Sequence, residues 1–435
     1  MTRGQDLWTR ARRVIPGGNM LLSKRPEMFL PEQWPAYFSS AKGCTLRDLD
    51  GRTLIDFSIM GVGTNTLGYG DARVDAAVRS VVDTGNMSTL NAPEEVALAE
   101  RLVALHPWAD MARFARTGGE ANAIAIRIAR AASGRDGVAI CGYHGWHDWY
   151  LSANLGDANT LAGHLLPGLD PAGVPQDLRG SVHPFAFNDL PALEALVSTG
   201  TIGTIMMEVS RNFDPPEGYL ERVREIATAN GIVLIFDECT SGFRQAFGGL
   251  HKIHGVDPDM AVFGKALGNG YAITAVIGRR AVMEAAQSTF ISSTFWTERI
   301  GPAAALATLD AMAADRSWET ISATGRIVIA GWRSLAARHG LTITIRGLPA
   351  LASFAFEGPH ALVYKTLISQ EMLAQGLLAA TSVYVCTAHT PDLVARYFDA
   401  LDPVFALIAG CEQSGRDPQT LLNGPVCHAG FHRLN

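Results

Sequence analysis

Residues 231–244 read GIVLIFDECTSGFR, and the order of residue types in this segment indicates the class of fold. GIVLIF is almost wholly apolar, and two acids, Asp237 and Glu238, follow it directly. A short run without polar alternation is typical of a strand buried on both faces, as in a parallel sheet covered by helices. Because residues 218–230 carry an amphipathic helical pattern, the two segments together predict an α/β unit.

Similar segments recur on both sides of this one. Further strands are predicted at 112–116, 137–141, 203–208 and 260–264, and helices at 72–83, 93–105 and 117–132. Buried strands that alternate with helices predict a mainly parallel central sheet in a large domain.

The ends of the chain follow another pattern, with Asp50-Gly51 as the turn of a hairpin over 45–57. Helices near 318–338, 364–376 and 391–408, with strands at 341–346 and 351–356, predict a smaller α+β domain. We therefore expect an N-terminal segment, 1–60, that packs with a C-terminal small domain, 316–435, and a large domain over 61–315.

Composition excludes several classes of protein. The 435 residues are 48% hydrophobic and 18% charged, with a net charge of -6, which favours a globular chain without a nucleic-acid or acidic-membrane partner. No apolar run is long enough to span a bilayer, and no secretory signal is evident at the N-terminus. The six cysteines have no regular spacing, which indicates reduced thiols and a cytoplasmic location.

Two strand ends carry the strongest signal of chemistry. Asp237 closes the strand at 231–238, and Lys265 directly follows the strand MAVFG at 260–264. Ligands collect at the carboxyl ends of parallel strands, so both side chains are expected to face one crevice. A partly desolvated lysine beside an acid suits a Schiff-base cofactor, although an ordinary ion pair explains the same two residues.

Two further segments add to this signal. TGGE (117–120) lies between a strand and an Ala-rich helix, where small residues and the helix N-terminus favour an anion such as a cofactor phosphate. The alternative is a plain turn capped by Thr117. GYHGWHDWY (142–150) offers Tyr143 to stack on a planar ring, unless it is an aromatic core cluster. His144 and His147 lack a third ligand at helical spacing, so we expect no metal.

These motifs, in their order, resemble the class III (fold type I) pyridoxal-phosphate aminotransferases, most closely the glutamate-1-semialdehyde aminomutase branch. The resemblance extends from about Arg12 to about Ala406. It rests on six segments: PGG (16–18), DLDGRTLIDF (48–57), TGGEANAIAIRIAR (117–130), YHG (143–145), IFDECTSGFR (235–244) and FGKALGNG (263–270).

The resemblance implies a role for each matching residue. Lys265 would form the Schiff base and move protons, Asp237 would bind the pyridine nitrogen, and Tyr143 would stack on the ring with His144 beside it. The backbone of Gly118 and Gly119 would hold the phosphate. Three more cofactor contacts follow by position: Glu208, Asn212 near the ring hydroxyl, and Thr294, which would reach the phosphate across a homodimer interface.

The resemblance also implies a reaction, transfer of an amino group between a donor, L-glutamate among the candidates, and a carbonyl compound. Several segments depart from the family pattern, among them FWTERIGP (295–302), and favour another substrate than that of the aminomutase. Candidate substrate residues are Arg25, Arg211, Trp146 and Glu298, in a site whose aromatic walls suit a sugar-like ketone or aldehyde. The aminomutase reaction and a pyridoxal-phosphate-dependent epimerase or racemase stay open as alternatives.

Overall fold

The computed structural model describes residues 2–157, 159–164, 167–210 and 212–430. The strands are β1 Phe38–Lys42, β2 Thr45–Asp48, β3 Thr53–Phe57, β4 Met111–Ala115, β5 Gly137–Cys141, β6 Val182–Pro184, β7 Ile202–Met207, β8 Val233–Glu238, β9 Met260–Phe263, β10 Thr274–Gly278, β11 Ile343–Arg346, β12 Leu351–Phe356, β13 Leu377–Ala379 and β14 Ser382–Tyr384.

The helices are α1 Arg3–Val14, α2 Met60–Gly63, α3 Ala72–Thr84, α4 Pro93–Leu105, α5 Gly118–Ser133, α6 Asp148–Leu151, α7 Leu190–Ser198, α8 Tyr219–Ala229, α9 His251–His254, α10 Arg280–Met283, α11 Ile300–Asp315, α12 Ser317–His339, α13 Ala361–Ala374 and α14 Pro391–Ser414. The chain divides into two compact units, one of Met1–Asp71 with Glu319–Asn435 and the other of Ala72–Trp318.

The unit of Ala72–Trp318 is built on a seven-stranded sheet in the order β4-β10-β9-β8-β7-β5-β6. β9, β8, β7, β5 and β6 run parallel, and β10 is antiparallel to both of its neighbours. β5, β7, β8 and β9 are buried at every position, which explains why their sequences are apolar on both faces. The predicted α/β class with a mostly parallel sheet is confirmed.

Helix α5 packs on this sheet through an apolar stripe that includes Ala121, Ile124, Ala125 and Ile128. Its first turn is fixed by a capping box, in which the Thr117 hydroxyl accepts from the Glu120 N–H and the Glu120 carboxylate accepts from the Thr117 N–H. Arg116 also donates its backbone N–H to Glu120. The helix therefore begins at one defined residue beside the carboxyl end of the sheet.

The other unit holds two sheets, β1-β2-β3-β13 and β11-β12-β14. β2 and β3 form the predicted hairpin, and Gly51 takes the left-handed backbone of its turn, with φ of 85°. The core of this unit is aromatic. Trp332 is fully buried and donates its Nε1–H to the Tyr397 hydroxyl at 3.0 Å, while Tyr397 stacks on Phe57.

Two properties of the described residues bear on the class of protein. Within those residues, no helix combines the length and the hydropathy needed to cross a membrane. All six cysteines lie in the described parts of the chain and are free thiols.

A stability prediction follows from the packing of α12. A methyl group at Gly325 would lie 1.9 Å from the Pro349 carbonyl oxygen, whereas one at Gly410, in α14, would meet nothing within 4 Å. We expect Gly325→Ala to lower the free energy of unfolding by about 2 kcal/mol or more. The matched control, Gly410→Ala, should raise it by about 0.5–1 kcal/mol. Urea unfolding of both variants tests this, and equal stabilities would contradict it.

Candidate active site

Asp237 lies at the carboxyl end of β8, in the middle of the seven-stranded sheet, and is almost completely buried. Its Oδ2 accepts from Asn122 Nδ2 and contacts His144 Nδ1, both at 2.8 Å, and its Oδ1 accepts the Cys239 N–H at 3.0 Å. Burial alone would raise the pKa of this carboxyl, but the His144, Cys239 and Asn122 contacts lower it below its usual value. Asp237 is thus a buried carboxylate that stays ionised.

Glu238, the next residue, points to the opposite face of the strand, as successive strand residues do. It is fully buried, and its carboxylate accepts the backbone N–H of His251, the Ser241 hydroxyl and the ring N–H of His251. Trp108 donates to the other ring nitrogen of His251, so the proton lies on the nitrogen that faces Glu238. Burial raises the pKa of Glu238, but these hydrogen bonds outweigh it and lower that pKa.

Lys265 directly follows Gly264 at the end of β9 and begins a 3-10 turn, Lys265–Gly268. Its backbone has a φ of 40°, which a residue with a side chain adopts only where the surrounding fold enforces it. The Nζ atom donates to the Thr240 hydroxyl at 2.6 Å. Burial of the amine lowers the pKa of Lys265, which favours the neutral form that a nucleophile or base requires.

Cys239 connects these two strand ends to the start of α5. A methyl group at Gly118 would lie 3.5 Å from the Cys239 sulfur, and one at Gly264 would lie 3.3 Å from it. The glycine before Lys265, the first residue of α5 and the loop after Asp237 therefore meet around one sulfur atom. The structure brings Lys265, Asp237 and Gly118 together at the carboxyl edge of the sheet, where ligands of α/β proteins bind.

The loop after β5 covers this edge. The Tyr143 N–H donates to Glu208 at 3.1 Å, and a methyl group at Gly142 would lie 2.5 Å from the same carboxylate, so the loop passes directly over Glu208. The Tyr143 ring is partly buried against Tyr150. At the far end of the loop, the His147 ring lies against Gly119, where a methyl group would be 2.8 Å from its Nδ1.

The remaining predicted residues lie in other surroundings. Asn212 and Thr294 are exposed, and Trp146, with 67% of its surface accessible, stacks on His147. Arg25 belongs to the unit of Met1–Asp71 with Glu319–Asn435, and Arg211 lies outside the described residues. The roles assigned to these residues from sequence stay predictions.

Glu298 has structural contacts that its sequence did not suggest. Its carboxylate lies 2.8 Å from Arg116 Nε and accepts the N–H groups of Ile300 and Gly301 at the start of α11. Arg299 binds Glu94 and the carbonyl of Gly85. Both charged residues of FWTERIGP thus attach this segment to its neighbours, and Glu298 has little capacity left for a substrate.

Sequence reasoning missed Asn122 and Thr240 as members of the site. Asn122 is in the same TGGEAN motif as Gly118, one helical turn later, so its position was readable from the predicted helix. Thr240 had no such signal, because its contact with Lys265 depends on the conformation of the loop after β8. Within the described residues, no group of three or more His, Cys, Asp or Glu side chains is arranged to hold a metal ion.

Comparison with known proteins finds similar sequences over most of the chain. The family model "Aminotransferase class-III" matches residues 31–396. The chain is 31% identical to the 3-aminobutyryl-CoA aminotransferase of Cloacimonas acidaminovorans, over 92% of this chain and 96% of the relative. It is 32% identical to the glutamate-1-semialdehyde 2,1-aminomutase of Methanococcoides burtonii, over 85% and 87%. A 2'-deamino-2'-hydroxyneamine transaminase of Streptomyces kanamyceticus is 29% identical, over 85% and 91%.

A solved structure is similar over nearly the whole chain. The FumI protein of Sphingopyxis sp. MTA144, in its PLP internal aldimine form, superimposes with a TM-score of 0.86 at 27% identity. The match covers 97% of this chain and all of the other. The arrangement of strands and helices described above is therefore that of a protein that holds PLP.

The Glu238 contacts give a prediction on stability. We expect Glu238→Gln to lower the free energy of unfolding at pH 7 by about 3 kcal/mol, because it removes the charge from a buried hydrogen-bonded group. The pKa of Glu238 is lowered in the folded state. The stability that its charge contributes is therefore present above the unfolded pKa of about 4.3 and is lost as pH falls through the folded-state pKa. The difference from wild type should therefore shrink below about pH 4.

Urea unfolding at pH 7, 5 and 3.5 measures this effect. Glu225→Gln is the control, because Glu225 is exposed and pairs with Arg222 on the surface, where an ion pair contributes at most about 1 kcal/mol. A loss for Glu238→Gln that is as small as that of the control would show that the buried carboxylate is not ionised.

Proposed function

We propose, for a chain that belongs to the class-III aminotransferases, that Lys265 supplies the catalytic amine and Asp237 the ring-binding carboxylate. The chain is a transaminase whose cofactor is pyridoxal 5'-phosphate. The observation that carries the proposal is the meeting of Gly118, Gly264 and the loop after Asp237 around the Cys239 sulfur. This meeting places the Lys265 amine, the ionised Asp237 carboxylate and the N-terminus of α5 in one site.

These groups fit the three functional parts of the cofactor. The first N–H groups of α5 point out of the helix and would bind the phosphate, since the start of a helix attracts anions. Gly118 and Gly119 carry no side chain there, which lets the Cys239 sulfur and the His147 ring pack against this turn. Asp237 would keep the pyridine nitrogen protonated, and Tyr143 would stack on the ring, with Glu208 holding its loop.

Bound pyridoxal phosphate withdraws electrons from the amino-bearing carbon of the substrate and so weakens its C–H bond. The Lys265 amine would take that proton and return it at a neighbouring atom. Such a base works best when its pKa lies near the operating pH, and burial of Lys265 lowers its pKa in that direction. His144 and Asn122 would hold Asp237 in place and ionised.

For the substrate we propose a polar carbonyl compound of the sugar or cyclitol type, with L-glutamate as amino donor. Support comes from Trp146, an exposed aromatic face next to the start of α5, and from the similarity to the neamine transaminase. Arg25 and Arg211 stay candidate ligands for a substrate carboxylate. Glu298 is not included in this proposal, because its carboxylate binds Arg116. A 3-oxoacyl thioester and an aminomutase reaction are the competing outcomes, each with a relative above 30% identity.

We further propose a homodimer with shared active sites. Leu90, Phe290 and Phe295 are exposed for 81%, 83% and 71% of their surface, and a patch of exposed apolar residues is typical of a protein–protein contact. Arg299 joins the segments that carry them, since it binds both Gly85 and Glu94. Thr294 lies exposed in the same region and would reach the partner's cofactor phosphate.

Six free thiols favour a reducing compartment, and we place the protein in the cytoplasm.

The proposed function is tested by the absorption spectrum of the purified protein. We expect a cofactor band that L-glutamate bleaches and that a carbonyl acceptor restores, with a keto-sugar faster than simple keto acids or a 3-oxoacyl thioester. Lys265→Ala should lack the lysine-bound band, and Asp237→Asn should lose about 100-fold or more in kcat. Lys365→Ala, a lysine in the other unit, is the matched control.

The outcomes separate the alternatives. A band that glutamate does not change leaves the cofactor assignment intact and favours an aminomutase, an epimerase or another donor. Conversion of glutamate-1-semialdehyde without a second substrate would identify the mutase. A wild-type protein that shows no band with added pyridoxal phosphate would refute the roles of Lys265 and Asp237.

The shared site is tested by mixing two inactive variants. We expect Lys265→Ala and Thr294→Val to be weak or inactive alone, and their mixture to regain activity after subunit exchange. A hybrid dimer has one site with both Lys265 and the partner's Thr294 intact. Sedimentation of Phe295→Asp should show monomers, whereas Ile253→Asp, at another exposed apolar residue, should leave dimers intact. No recovery in the mixture would contradict a shared site.

A further inference from the structure

The side chain of Thr240 contacts the amine of Lys265, with 2.6 Å between Nζ and Oγ1. It is two residues beyond Glu238, in the loop that connects β8 to α9. The distance is that of a short, well-formed hydrogen bond. Neither residue is exposed, so few water molecules compete for this bond.

The loop holds the Thr240 hydroxyl in one position. On one side, the Cys239 N–H donates to Asp237, and on the other, the Ser241 hydroxyl donates to Glu238. The carbonyl of Thr240 accepts from Nε of Arg244, a fully buried residue. Two buried carboxylates therefore hold the residues on both sides of Thr240, and a buried guanidinium holds its own carbonyl.

A hydroxyl is suited to a partner that changes its protonation state. It accepts a hydrogen bond from an ammonium group and donates one to a neutral amine, whereas a carboxylate only accepts. A hydroxyl also adds no charge, so it leaves the amine free to lose its proton, while a carboxylate would favour the charged form. The titratable and charged groups that act on Lys265 are Cys239, Arg244, Glu208 and Asp237.

We propose that Thr240 is a positioning residue for the Lys265 amine, held in place by Asp237 and Glu238 through their bonds to Cys239 and Ser241. The hydroxyl accepts from the ammonium form and reverses to donate to the neutral form. The nitrogen therefore stays at one point while it takes up a proton and gives it back. This inference rests on the proposed role of Lys265 and adds a second residue to it.

The test compares Thr240→Val, which keeps the shape, with Thr240→Ser, which keeps the hydroxyl. In stopped-flow reactions of the holoenzyme with L-glutamate, Thr240→Val should slow bleaching of the cofactor band about tenfold, the effect of one lost hydrogen bond. With glutamate deuterated at the α-carbon, its isotope effect should exceed that of wild type, because proton transfer becomes slower relative to the other steps. Thr240→Ser should recover to within about threefold.

The control is Thr204→Val in β7 of the same sheet. Thr204 is fully buried, and its hydroxyl has no hydrogen-bond partner in the described part of the chain, so its loss should change neither rate nor isotope effect. An unchanged isotope effect in Thr240→Val, or a Thr240→Ser variant as slow as Thr240→Val, would overturn the proposal. If Thr240→Val does not fold, Thr240→Ala replaces it in the same comparison.

A second readout needs no catalysis. The chain has five lysines, so competitive acylation of the cofactor-free full-length protein followed by mass spectrometry resolves Lys265 from the other four. In Thr240→Val the ammonium form loses its acceptor, and the pH of half-reaction at Lys265 should fall by about one unit. Thr240→Ser should restore it, with the other lysines unchanged. If the pH of half-reaction at Lys265 is unchanged in Thr240→Val, the proposal is overturned. A wild-type holoenzyme without a lysine-bound band refutes the proposed function instead.

Discussion

A buried carboxylate stays charged only where hydrogen-bond donors of the protein replace its hydration shell. The site depends on such donors at Asp237. Its three partners come from different elements: Asn122 from α5, His144 from the loop after β5 and the Cys239 N–H from its own loop. The sheet order β8-β7-β5 and the packing of α5 across it are what bring these donors to one side chain. Local shifts of any of these elements would leave a buried charge unsatisfied, which costs several kcal/mol.

Much of the fold was predictable, because strands buried on both faces and helices with one apolar face leave direct patterns in the sequence. β8, β7 and α5 were predicted on that basis. β10 was not, although it is buried, since TAVIG is short and periodicity does not distinguish so short a segment from other buried segments. The proximity of Lys265 and Asp237 followed from the rule that parallel strands end at one edge. The bond between Lys265 and Thr240 did not, because it depends on loop conformation.

In FWTERIGP, a residue that the sequence suggested for substrate binding makes structural contacts. The segment stood out because it departs from the family pattern, and Glu298 in it was a candidate substrate residue. The structure uses Glu298 to bind Arg116, which also donates to the carbonyls of Trp296 and Glu298. Arg116 directly precedes the capping residue of α5. These bonds therefore hold the turn from which the helix N-terminus is presented.

The meeting of Gly118, Gly264 and Cys239 around one sulfur has a consequence for protein engineering. Residues that are far apart along the chain share a single small volume, so the side chain tolerated at each depends on the other two. A methyl group at Gly264 would already crowd both Cys239 and Thr274. Libraries that vary these positions one at a time would sample mostly incompatible combinations. Varying the three together, with total volume held constant, is the rational way to reshape this site.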